Sequence, residues 1–167
     1  MRTIVGHSCA ERTIGFSAQL LPFFQQTDTK DCGPTCLRMV AKFYGRDLSP
    51  EWLREHAQLD AEGVNLLALS EAASHAGFTA QALSLTYADL KSVTRLPAIL
   101  HWNRNHFVVL YKIDGEELVV ADPQSGLILF SPEEFLQCWI TAKNDSGEGE
   151  GIALLLEPVS SHFANFP

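Results

Sequence analysis

The sequence predicts an α+β domain, and three observations carry that prediction. Helix start and stop signals crowd the first half of the chain, short runs rich in Val, Ile and aromatic residues crowd the second, and the two kinds of segment do not alternate. Segregation of this sort points to helices packed on an antiparallel sheet rather than to repeated βαβ units. The 167 residues suit one domain with a single sizeable core, and 46% hydrophobic against 19% charged residues is globular composition.

The first helix is marked by Asp31 as N-cap, Pro34 in the opening turn and Gly45 as the stop. Between them Cys36, Leu37, Val40, Ala41 and Tyr44 recur at helical spacing and form one apolar face. A second helix follows Ser49, with Pro50 in its first turn. A third runs from about Asn65 to Ala76 and stops at Gly77, and Thr86 to Asp89 is a capping box for a short fourth. The chain then changes character. Pro97 to Trp102, His106 to Ile113 and Glu117 to Asp122 read as strands, with Asp114-Gly115 as a hairpin turn between the last two. The run from Pro123 to Gly126 is another turn, and Leu127 to Phe130 a short strand. Ser131 to Glu134 is a second capping box, with Pro132 opening a helix through about Trp139, and Gly151 to Glu157 closes with a strand. Residues 1–22 show no period and are expected to be an N-terminal extension, 23–158 the domain, and 159–167 a C-terminal tail.

Charge and composition exclude several function classes. The net charge is −8, and the 12 Lys and Arg residues form no run, so no nucleic-acid partner is expected. No apolar stretch approaches the roughly 18 residues that span a bilayer. The N-terminus is broken by His7, Glu11 and Arg12 and does not read as a secretory signal. A soluble cytosolic domain is expected, one that can still be a piece of a longer membrane protein. The four cysteines, at 9, 32, 36 and 138, are too sparse for a disulfide framework. Cys32 and Cys36 have no second ligand pair at finger-like spacing, so neither a metal nor another cofactor is expected.

Cys32 carries the chemistry. At a helix start, free N–H groups and the helix dipole stabilise a thiolate, which is the nucleophilic form. Gly33 beside it leaves room for an approaching substrate. The bland alternative is a small buried core residue, the reading that suits Cys36 inside the apolar stripe. A cysteine nucleophile needs a base, and the base an orienting acceptor. His106 opens one strand and Asp122 ends the next across the hairpin, so their side chains meet if they share a face. His101 is the competing base but has no evident carboxylate across a hairpin, while His7, His56, His75 and His162 read as surface groups. Gln26, six residues before Cys32, is placed to donate to a developing oxyanion, and on chemistry alone Gln25 is equally eligible.

The segment from Gln26 to Leu37, with Asp31-Cys32-Gly33-Pro34 at its centre, resembles the cysteine motif of the C39 peptidase family. So do His106 to Leu110, preceded by Pro97 to Ile99, and Asp122-Pro123 with the turn to Gly126. The resemblance runs from about Phe24 to Glu157. It implies a papain-like cysteine peptidase fold, with Cys32 as nucleophile, His106 as acid/base, Asp122 as orienter and Gln26 as oxyanion-hole donor. It also implies cleavage of a secreted peptide's leader after a double glycine. The chain would then be the cytosolic N-terminal domain of a bacterial ABC exporter, with the exporter's transmembrane and ATP-binding domains as partners at the cytoplasmic face of the inner membrane. The alternatives are a C39-like module that docks a transport substrate without cutting it, a papain-like amidase or transferase, and a protein whose cysteines are all core.

Overall fold

The computed structural model describes residues 12–13, 21–57, 65–93 and 95–160. In chain order the elements are β1 (Arg12–Thr13), α1 (Cys32–Phe43), α2 (Pro50–His56), α3 (Leu66–His75), β2 (Phe78–Thr86), α4 (Tyr87–Ser92), β3 (Ala98–Trp102), β4 (His106–Asp114), β5 (Glu117–Asp122), β6 (Gly126–Phe130), α5 (Pro132–Trp139), β7 (Ala142–Lys143) and β8 (Gly149–Pro158). Among the described residues eight strands form one sheet in the order β1-β6-β5-β4-β3-β8-β2, with β7 pairing to β8, and every pairing there is antiparallel.

Local chemistry explains most helix starts. Ser49 accepts from the Trp52 N–H and Asn65 from the Ala68 N–H, so each covers an otherwise unpaired donor. Thr86 with Asp89, and Ser131 with Glu134, form reciprocal capping boxes. α1 differs. Asp31 occupies the N-cap position but makes no capping bond with its side chain, which instead accepts from the Thr27 hydroxyl at 2.8 Å. The first-turn N–H groups of the helix that Cys32 opens are therefore not covered by a capping side chain.

Helices and strands are less segregated than the sequence predicts. β2 lies among the helices and has no counterpart in the reading above. It pairs with β8 from Phe78↔Pro158 to Thr86↔Glu150. Its alanines and polar residues have weak strand preference, so long-range pairing to β8 makes it a strand. At the opposite edge β1, inside the expected extension, pairs with Ile128 and Leu129 of β6.

Strand alternation divides the core in two. Ile99, Phe107, Val109, Tyr111, Ala121, Leu154 and Leu156 pack with α1, α2 and α3 on one face. Leu100, Trp102, Val108, Leu110, Val120 and Ala153 pack with Leu90 of α4 and Phe135 and Trp139 of α5 on the other. The period-two exchange of neighbours between the clusters is that of a sheet covered on both faces.

Candidate active site

Three chain ends build the site. The N-terminus of α1 carries Cys32, which is 7% exposed. The tight turn from β3 into β4, with Asn103 and Arg104 at φ 47° and 67°, delivers His106 as the first residue of β4. β5 ends in Asp122, and the turn that follows folds back on it. The Gln124 N–H donates to Asp122 Oδ1 at 2.8 Å and the Ser125 N–H to the Asp122 carbonyl at 3.1 Å. An Asx turn of this kind follows from Asp at the start of Asp122-Pro123-Gln124.

A β-bulge decides whether His106 and Asp122 can meet. Near the hairpin tip Lys112 pairs with Val119, but Leu110 pairs with Val120, so Tyr111 is an additional residue on β4. Without it, the register carried down the strands would set Asp122 opposite Val109, on the other face from His106. With it, Asp122 falls opposite Val108, and His106 becomes its diagonal neighbour on the same face.

The resulting contact is short. His106 Nε2 and Asp122 Oδ1 lie 2.8 Å apart, both side chains being 15% exposed. The Cys32 side chain lies beside the imidazole and acts on it, and with Nε2 engaged by Asp122 the ring nitrogen left to interact with the sulfur is Nδ1. Burial disfavours the imidazolium. The hydrogen bond that the ring donates to Asp122, the nearby Cys32 sulfur and the negative charges of both outweigh it and push the His106 pKa up to about 9. One turn further along α1, Cys36 is fully buried, and burial together with charge at Cys32 and Asp122 pushes its thiol pKa up. Cys36 is core, as its place in the helical stripe implies.

The two glutamines separate cleanly. Gln25 is exposed; Gln26 is half-buried, and its N–H donates to the carbonyl of Pro123, next to Asp122, at 2.9 Å. The Gln26 Oε1 is buried and accepts no hydrogen bond from the described residues. His101 pairs with Phe107 and packs on its ring, centroids 5.4 Å apart. Burial pulls its pKa down, against a backbone hydrogen bond at Arg104 that raises it. His56 stacks on Trp52 and contacts His75 between α2 and α3. His7, Cys9 and His162 lie outside the described residues. Among the described residues no group of three or more His, Cys, Asp or Glu side chains is arranged to hold a metal ion. Tyr111, whose hydroxyl donates to the Pro22 carbonyl, sits in an apolar strand run with nothing in the sequence to distinguish it.

A cysteine at a helix N-terminus, beside an imidazole that is hydrogen-bonded to a carboxylate, is an arrangement suited to acyl transfer through sulfur. Residues 21–144 match the model of the Peptidase C39 family. The chain belongs to that family. Among solved C39-type structures it is similar to a double glycine motif protease from an AMS/PCAT transporter in complex with the leader peptide. The identity is 30% and the TM-score 0.72, covering 82% of this chain and 91% of that one. It is also similar to the peptidase domain of Streptococcus ComA, a bi-functional ABC transporter involved in a quorum sensing pathway, at 29% identity and TM-score 0.69 over 83% and 98% of the two chains. In sequence it is 36% identical over 114 residues to the Escherichia coli colicin V secretion/processing ATP-binding protein CvaB, which covers 68% of this chain. It is 35% identical over 144 residues to the probable microcin-H47 secretion/processing ATP-binding protein MchF of the same species, which covers 86% of this chain. The C39 chain spans 16% and 19% of the length of these two relatives. Among the described residues no helix is long and apolar enough to cross a membrane.

Proposed function

We propose that this C39 domain is a cysteine endopeptidase that removes the leader of a secreted peptide precursor by cutting after a double glycine. The observation that carries the reading is Cys32 at the start of α1 beside the His106 imidazole, which is itself hydrogen-bonded to Asp122. The Cys32 thiolate's electron pair forms a bond to the scissile carbonyl carbon while the C=O π pair moves to the oxygen. The Gln26 amide and the first-turn N–H groups of α1 stabilise that oxyanion. His106, protonated by its pairing with Asp122, gives its proton to the departing amine. It then takes one from the water that hydrolyses the thioester, which regenerates the thiolate–imidazolium pair. Asp122 holds the ring and its charge throughout.

The named relatives support a wider setting. Several are secretion and processing ATP-binding proteins, and one solved neighbour is bound to a leader peptide. The domain then serves an exporter at the cytoplasmic face of the membrane, working beside transmembrane and ATP-binding domains. The deciding experiment is mass spectrometry of a double-glycine leader peptide incubated with wild type and with Cys32→Ala. Cleavage after the second glycine by wild type alone is expected. Binding without cleavage by both proteins would leave a docking module instead.

A further inference from the structure

The segment from Leu21 to Gln26 crosses the core as a strap. Leu21, Phe23 and Phe24 pack against the cluster around α1, and the Arg38 guanidinium lies 3.9 Å from the centre of the Phe24 ring. The strap is hydrogen-bonded at one end to β4 and at the other to the turn directly after β5. At one end the Tyr111 hydroxyl donates to the Pro22 carbonyl at 2.5 Å. At the other the Gln26 N–H donates to the Pro123 carbonyl at 2.9 Å. β4 and β5 also carry His106 and Asp122, so the same pair of strands borders both the strap and the imidazole–carboxylate pair.

We infer that Tyr111 is a positioning residue, whose hydroxyl clamps the strap at Pro22 and so holds Gln26 in place against the reacting carbonyl. The inference rests on the reading of Gln26 as an oxyanion donor. Tyr111 is itself the additional residue of the bulge, and only 6% exposed. Its ring packs beside Phe43, centroids 5.9 Å apart, a contact that a phenylalanine would keep. The hydroxyl is a separate feature with a separate partner. Burial, with a smaller contribution from charge at Cys36, raises the phenol pKa, so the group stays a donor wherever His106 is cationic. Loss of one tether leaves the Pro123 bond in place, so the strap loosens at one end rather than leaving the site.

Tyr111→Phe removes the hydroxyl without opening a cavity. On a double-glycine leader peptide cut by wild type, kcat should fall about tenfold, the scale of one net hydrogen bond. KM should stay near wild type, and the thermal midpoint should fall by only about 2 to 4 °C, the shift expected for one net hydrogen bond in a domain of this size. The rate of Cys32 alkylation should also hold, because alkylation develops no oxyanion. In a Gln26→Ala background the added Tyr111→Phe change should have no further effect on kcat. Wild-type kcat in Tyr111→Phe, while Gln26→Ala is slow, overturns the clamp and spares the oxyanion reading. An equal loss in both backgrounds overturns it too, since Tyr111 would then act by another route. A Gln26→Ala enzyme as fast as wild type defeats the oxyanion reading itself, and the clamp with it.

Discussion

Asp122 Oδ1 takes two donors at once: His106 Nε2 and the Gln124 N–H, each at 2.8 Å. The backbone donor holds the carboxylate independently of the imidazole. The carboxylate supplies geometry and charge, and substitution can separate the two. Asp122→Asn keeps an oxygen able to accept from His106 but removes the negative charge that favours the imidazolium. The variant should fold and lose roughly 10² to 10⁴ in kcat, in line with triads whose aspartate is neutralised. Steady-state kinetics on a leader peptide decides it, and an unimpaired Asp122→Asn enzyme would sink the triad.

The pH profile should have its alkaline limb near the His106 pKa of about 9. Above that pH the proton needed by the departing amine is lost. Folding stability should follow the same group. Its pKa in the folded state lies above the unfolded value of about 6.5, so the contribution is complete below 6.5 and disappears as pH rises through about 9. NMR titration of the His106 ring gives the pKa directly, and thermal melts at pH 6 and 9.5 test the stability arm. A ring that titrates near 6.5 contradicts the pairing.

Thiol labelling should be selective. Cys32 lies beside the His106 imidazolium at a helix start, whereas Cys36 is fully buried with its thiol pKa raised. Iodoacetamide in slight excess should modify Cys32 and abolish turnover while leaving Cys36 intact in peptide maps. Modification of Cys36 first, with activity retained, would assign the chemistry elsewhere.

Gln26→Ala should lower kcat by about 10² to 10³, the usual loss for one oxyanion donor. Gln25→Ala is the built-in control, since Gln25 is exposed and should be silent. Equal effects from the two substitutions would remove the distinction that the strap makes between them.

Gly151 tests the fold rather than the chemistry. A methyl group there would be driven into the Trp139 indole, which is fully buried and fixed by its Nε1–H bond to the Ile152 carbonyl at 3.1 Å. Gly151→Ala should cost about 1 to 3 kcal/mol by overpacking, read as a lower urea midpoint with an unchanged slope. An unshifted midpoint would mean that the ring moves aside at little cost.

Helix starts, the hairpin turns and the meander were legible in the sequence because their causes are local. A capping serine or threonine, a proline in the first turn or an Asp-Gly pair acts within a few residues of itself. Cys32 at the head of α1 and the candidacy of His106 and Asp122 belong to the same class. The tertiary structure alone decided the rest. β2 is a strand because β8 pairs with it across more than sixty residues of chain. The half-burial of Gln26, against an exposed Gln25, comes with a bond to Pro123, nearly a hundred residues away. The meeting of His106 with Asp122 depends on one additional residue at Tyr111, because side chains alternate with period two and a one-residue shift exchanges the faces. Nothing in the run HFVVLYKI marks that shift, since a bulge is a property of two paired strands and neither strand carries it alone.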